Sequence, residues 1–265
     1  MDLQLQNRNV LITGGSKGIG LACALEFLRE GARVSLVSRS LATLQEARDK
    51  LNGQLADATD RVSIQAADLK QPAGALAALE AAEKHFGAVD VLVNSAGAAR
   101  RTPPAELDAD AWHDAMDAKY FTYIHMIDPV VKRMGARGQG AIVNVIGTGG
   151  KVATTTHMAG GAANAALMLV SAGMAAAYAP RGVRVNAVNP GLTLTERLQE
   201  GMAADARAQG IDAAEALRRA SARLPLGRIA TPEEIANAVV FLASPRASYI
   251  TGAILAMDGA VHPMI

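Results

Sequence analysis

Seven short β-branched and aliphatic runs punctuate the chain, and what lies between them dictates the kind of sheet they can form. The runs are Val10-Leu-Ile, Val34-Ser-Leu-Val, Val62-Ser-Ile, Val89-Asp-Val-Leu-Val, Ala141-Ile-Val-Asn-Val, Val183-Arg-Val-Asn-Ala-Val and Ala253-Ile-Leu-Ala. Between them lie alanine- and leucine-rich segments with helical spacing, at 18–30, 40–51, 71–86, 109–135, 157–179 and 231–243. Strand alternating with helix predicts parallel strands joined by right-handed crossovers, with helices on both faces. The nearly continuous apolar character of the runs agrees, because a strand covered on both sides has no wet face. The expectation is a Rossmann-like, doubly wound α/β fold with a mainly parallel seven-stranded sheet.

The chain has 265 residues, 50% of them hydrophobic, enough to bury one large core, so residues 1–265 read as a single domain. The stretch 192–224 is less regular, alternately acidic and basic. It reads either as helical excursions covering a substrate pocket or as a solvated surface insertion. Twenty-six basic against 25 acidic residues leave a formal charge of +1, which provides no field for a nucleic acid or an anionic membrane. Cys23 is the sole cysteine, so neither an internal disulfide nor a cysteine metal cluster is expected, and a reducing cytoplasm suits the chain. No histidine/cysteine set has zinc spacing, and no metal is expected. The N-terminus is too polar for a secretory signal. No apolar stretch reads as both long enough and free enough of glycine and polar residues to span a bilayer. The nearest, Ala159 to Ala179, reads as a closely packed buried helix.

The first strand runs directly into Thr13-Gly-Gly-Ser-Lys-Gly-Ile-Gly20, followed by a helix. Gly14, Gly18 and Gly20 permit a tight turn, close backbone approach to a pyrophosphate, and close helix-on-strand packing. The helix N-terminus then faces the phosphates. Here the chain resembles the short-chain dehydrogenase/reductase family, whose signature is Thr-Gly-x-x-x-Gly-x-Gly. The resemblance continues in Asn94-Ser-Ala-Gly97, in Asp68-Leu69 at the end of the third strand, and in Arg181-Gly-Val-Arg-Val-Asn186 followed by Asn189-Pro-Gly191 and Thr195. It extends to Pro225-Leu-Gly-Arg228, Pro232-Glu-Glu234 and Ala256-Met-Asp-Gly259.

The resemblance implies a nicotinamide dinucleotide held by Gly14, Ser16, Lys17, Gly18, Ile19 and Gly20 at the phosphates, and by Ser38, Arg39, Asp68 and Leu69 at the adenosine end. Asn94, Ala96, Gly97, Asn164, Pro190, Gly191, Leu192 and Thr195 complete the set toward the nicotinamide. The second strand ends without the acidic residue that would hold a 2′-hydroxyl. Arg39, aided by Lys17, can pair with a 2′-phosphate, so NADP(H) is expected over NAD(H).

The chemical end departs from the family. Members carry a serine after the fifth strand, then Tyr-x-x-x-Lys, with an asparagine on the preceding helix. The tyrosine exchanges a proton with the substrate oxygen, and the lysine lowers its pKa. In this chain Gly147 stands at the serine position, Gly160 at the tyrosine and Asn164 at the lysine, and Lys119 occupies the asparagine position. None of the four tyrosines is followed by a lysine four residues on.

The family's asparagine and lysine thus look exchanged between neighbouring helices. One expectation is that the Lys119 ammonium reaches the space vacated at Asn164; the other is a surface or interface lysine. Three replacements for proton transfer stand out: Lys119 itself, His157 for its titration range, and Thr148 for its hydroxyl beside the missing serine. Tyr123 shares the face of Lys119, and His85, His113, His125 and His262 have no supporting context.

Two functions follow. The first is an NADP(H)-dependent oxidoreductase moving hydride to or from a carbonyl or alcohol carbon of a small molecule, with an atypical proton-transfer site. The second is an inactive NADP(H)-binding sensor or regulatory subunit. A different reaction on the same scaffold is a third possibility. The resemblance also implies a homodimer or homotetramer.

Overall fold

The computed structural model describes residues 1–55, 58–97 and 99–263. Its centre is a seven-stranded, wholly parallel sheet in the order β3-β2-β1-β4-β5-β6-β7. The strands are β1 (Asn9–Thr13), β2 (Arg33–Ser38), β3 (Val62–Ala66), β4 (Val91–Asn94), β5 (Gly140–Val145), β6 (Val183–Pro190) and β7 (Ile254–Met257). The doubly wound fold expected from the alternation is the one found.

Residues alternate between two cores along each strand, as the two-residue period of a strand requires. Val10 and Ile12 of β1 join Val34, Leu36, Val91 and Val93 against α1 (Gly18–Arg29), α2 (Leu41–Gln54) and α9 (Pro232–Ala243). Leu11 points the other way and joins Leu92, Ile142 and Val185 against α3 (Pro72–Phe86), α5 (Thr122–Arg137) and α6 (Met158–Tyr178).

Several elements differ from expectation. The run 109–135 is not one regular helix. It divides into α4 (Ala109–Ala115), a wider π-helical turn (Met116–Phe121) and α5, and the turn contains Lys119. Part of its setting is visible locally. The Thr122 hydroxyl donates back to Lys119 O at 3.0 Å, and a Cβ on Gly97 (φ +88°) would collide with Ala118 O. β3 ends two residues before Asp68-Leu69, which lie in the connection to α3. The stretch 192–224, by contrast, holds two helices, α7 (Glu196–Gln209) and α8 (Ala213–Ala222), as its helical reading expected.

Met158–Arg181 does qualify by length and composition as an apolar span, contrary to the sequence reading. One face of α6 is nonetheless buried against the protein through Ala159, Gly160, Ala163, Asn164, Leu167 and Ser171.

Thirteen of the described polar or charged residues are buried, and four of them form a continuous line. The Thr13 hydroxyl donates to Asn94 Oδ1 (3.3 Å), Asn94 Nδ2 to Asn144 Oδ1 (3.0 Å), Asn144 Nδ2 to Ser171 Oγ (2.9 Å), and Ser171 Oγ to Leu167 O (2.7 Å). Removing a middle member strands buried partners. Asn144→Ala should therefore lower the unfolding free energy by about 1–3 kcal/mol, read from urea denaturation. Asn144→Ala combined with Ser171→Ala should cost less than the sum of the single changes.

Candidate active site

The strand order reverses between β1 and β4, and the crevice at their carboxyl ends is where an open α/β sheet holds its ligand. Both signature turns meet there. Gly14 adopts φ +67°, and a Cβ on it would sit 2.8 Å from the Ala96 backbone; one on Gly20 would collide with Gly14 O. The two glycines let the first turn, the Asn94–Gly97 turn and α1 pack at backbone distance. Lys17 precedes α1 without capping it by its side chain, and the first turn holds no acidic residue. The first-turn N–H groups are thus left for an anion.

The 190–195 segment returns to the same turn, with Thr195 Cγ2 3.2 Å from where a Gly18 Cβ would stand. Pro190 closes β6, Gly191 packs on Asp258, and Leu192 is exposed. Ser16 and Ile19 lie in the glycine turn and the first turn of α1, both partly buried. At the adenosine end Arg39 is exposed. The Ser38 hydroxyl bonds Ser40 O at 3.4 Å, Asp68 Oδ1 accepts from Lys70 N at 3.1 Å, and Leu69 is buried, its carbonyl 3.0 Å from His125 Nδ1. These features fit a dinucleotide. So do two buried acceptors, Asn164 Oδ1 and Asn189 Oδ1, which have no hydrogen-bond partner within the described residues.

Lys119 is buried, at 9% exposure. Its Nζ donates to Tyr123 Oη (2.8 Å) and Val145 O (3.1 Å), and Tyr123 Oη itself donates to Val145 O (2.6 Å). The ammonium therefore ends at the carboxyl terminus of β5. It makes no hydrogen bond to Asn164 among the described residues, although it stands close enough to act on His157 at the start of the same helix. The reading of Lys119 as a surface lysine is overturned. Burial, reinforced by the Arg197 guanidinium, pulls Lys119 down to about 7.

His157 stands at the N-cap position of α6. A Cβ built on Gly160 would collide with His157 Cε1 and lie 2.6 Å from Nε2 and 2.8 Å from Ala99 Cβ. The imidazole thus fills the volume into which a side chain at 160 would project. Its Cδ2 lies 3.2 Å from the Cβ position of Gly149, and its Nδ1 is buried without a partner. Burial first, then Arg101 and Lys119, push the ring's pKa below its ordinary value. Asn164 Nδ2 lies 3.3 Å from the Cβ position of Gly147, so the amide sits close behind that glycine.

Thr148 begins a short 3-10 turn (Thr148–Gly150), and its carbonyl accepts from the Lys151 and Val152 N–H groups. The structure brings Lys119, Gly147, His157, Gly160 and Asn164 around one end of the crevice. Tyr123 and Val145, which hold Lys119, carried no signal of that role beyond the four-residue spacing of Tyr123.

Comparison with known proteins agrees with this geometry. A family model described as enoyl-(acyl carrier protein) reductase matches residues 14–262. The chain is 37% identical to 2-(S)-hydroxypropyl-CoM dehydrogenase 3 of Xanthobacter autotrophicus over 98% of each chain. It is 38% identical to the A-factor type gamma-butyrolactone 1′-reductase (1S-forming) of Streptomyces virginiae over 96% of this chain and 95% of the relative. Among solved structures, L-sorbose reductase of Gluconobacter frateurii complexed with NADPH and L-sorbose superposes with a TM-score of 0.93 at 32% identity, covering 100% of both chains. An NADPH-bound short chain oxidoreductase of Pseudomonas aeruginosa PAO1, described as containing an atypical catalytic center, superposes with a TM-score of 0.87 at 32% identity over 98% and 99% of the chains.

The buried lysine has a measurable signature. Its pKa is about 7 folded and near 10.5 unfolded, so between those values the unfolded chain binds more protons and raising the pH favours the folded state. Relative to Lys119→Met, the wild-type protein should therefore gain stability from pH 7 to pH 9, by at most ~1.4 kcal/mol per pH unit. Parallel pH dependences in urea titrations would rule out the buried, shifted ammonium.

Proposed function

Because the chain belongs to the short-chain dehydrogenase/reductase family, we propose that it is an NADP(H)-dependent oxidoreductase acting on a carbonyl or alcohol, with His157 as the group that exchanges a proton with the substrate oxygen. The observation that carries this reading is the imidazole lying across Gly160, in the space where the family's tyrosine would project. The bound nicotinamide supplies or accepts the hydride. The glycine turns and the α1 N-terminus hold the phosphates, Arg39 and Lys17 favour a 2′-phosphate, and the unpartnered Asn164 Oδ1 offers an acceptor to a hydroxyl donor.

Lys119 works from behind. When protonated it carries positive charge into the crevice, and it adds to burial and Arg101 in holding down the His157 pKa. A histidine with a lowered pKa is a ready base toward an alcohol. To donate a proton to a carbonyl it must first be protonated. The rate of oxidation should therefore rise with pH through the His157 pKa, below 6.5, and the rate of reduction should fall. The NADPH-bound relatives and the reductases and dehydrogenases among them support the redox reading. We also read the exposed face of α6, where Leu169 is 77% accessible, as a surface for self-association.

The test combines binding and turnover. By fluorescence titration NADPH should bind about tenfold or more tightly than NADH, and Arg39→Asp should reverse that order. With NADPH and a panel of ketones, aldehydes and quinones, His157→Ala should lower kcat roughly 10²–10⁴-fold while leaving the NADPH Kd unchanged. An unchanged kcat in His157→Ala overturns the assignment of the proton. Tight NADPH binding with no turnover across the panel favours an inactive nucleotide-binding subunit.

A further inference from the structure

Several arginines of this protein have carboxylate partners. Arg29 pairs with Glu26, Arg133 with Glu83, Arg218 and Arg219 with Glu215, and Arg228 with Glu234. Two arginines at the mouth of the crevice have no ion pair among the described residues, although both act on its interior. Arg101 lies on the segment that crosses over Gly160. Ala99 of that segment stands 2.8 Å from the Gly160 Cβ position, and the Thr102 N–H donates to Thr156 O at 2.9 Å, fastening the segment to the loop that carries His157. Arg197 lies in the first turn of α7, two residues beyond the Thr195 that meets the glycine turn. Arg101 lies near enough to His157, and Arg197 to Lys119, to add to burial in disfavouring their charged forms. Among the described residues no ion pair balances Lys119, Arg101 or Arg197, because the neighbouring Glu196 pairs with Lys17 and Lys50 instead, and such a group of cations favours the entry of something anionic.

We propose that the substrate carries an anionic group, a carboxylate, sulfonate or phosphate, close to the reacting carbon, and that Arg101 and Arg197 at the crevice mouth bind it. Guanidinium groups suit this task, since their planar fork bonds such oxygens in pairs. The proposal rests on the oxidoreductase reading for the identity of the ligand as substrate, and its test separates the two.

Binding is measured first, by calorimetry on the NADPH-loaded protein, with butyrate, propanesulfonate and propyl phosphate, each against the neutral butyramide. At least one anion should bind about tenfold or more tightly than the amide, the ranking naming the source of the charge. Arg101→Ala/Arg197→Ala should abolish the preference, and Arg101→Lys/Arg197→Lys should keep part of it. Equal binding of anions and butyramide, or a preference that survives the double alanine change, overturns the proposal. Turnover is then compared for short oxo acids and their amides, with kcat/KM expected to favour the acids about tenfold or more and the double alanine variant losing that advantage through KM. Reduction of acids and amides alike leaves the oxidoreductase reading intact and defeats this one. An anion preference without turnover of any oxo compound does the reverse.

Discussion

A line of buried hydrogen bonds from Thr13 through Asn94 and Asn144 to Ser171 ties the carboxyl ends of three adjacent strands to the helix that carries Gly160 and Asn164. Hydrophobic burial alone would hold these elements together but would tolerate sliding of one past another. Side-chain amides buried in low dielectric do not, because a register error leaves their polar atoms unpaired. The Thr13 hydroxyl also accepts the N–H groups of Ser95 and Ala96 at 3.2 Å. The same line thereby fixes the turn that faces the glycine-rich loop. Both ends of the crevice take their positions from it.

Against that rigid frame the crevice holds two titratable groups whose surroundings disfavour their charged forms. Lys119 and His157 are each shifted chiefly by burial, and each is pushed further by a neighbouring cation. Two donors on a single carbonyl, Lys119 Nζ and Tyr123 Oη on Val145 O, keep the amine in place despite that cost. The placement depends on a local exception to helix geometry. The π-helical turn at Met116–Phe121 closes against Gly97, so a glycine of the nucleotide signature also has a structural duty toward the lysine.

The fold was legible because its signals are short-range. Aliphatic runs such as Val10-Leu-Ile and Ala141-Ile-Val, and the glycines after the first, announce strands and a tight turn without knowledge of what packs beside them. The cofactor motifs were legible for the same reason. What stayed hidden concerns partners distant in sequence. Asn144 and Ser171 look like polar interruptions in apolar runs until their bond across 27 residues is seen. The apolar periodicity through 109–135 continues across the π-helical turn, and so concealed it. The partner of Lys119 was not legible because the carbonyl it bonds belongs to β5, 26 residues away. The position of the His157 ring over Gly160, only three residues apart, was missed because it depends on how the chain enters α6.

The occupation of the space at Gly160 by His157 also constrains how this site can change over time. A side chain acquired at 160 while His157 remains meets the outer edge of the imidazole at its first carbon, so the ring must swing out of that space to admit it. A mutational path between this arrangement and a tyrosine at 160 therefore displaces the imidazole from its present place, whichever position changes first. Position 147 is under a weaker constraint, since a Cβ there meets only the Asn164 amide at 3.3 Å. A serine can be regained at 147 independently, whereas a tyrosine at 160 takes the place the histidine ring now holds.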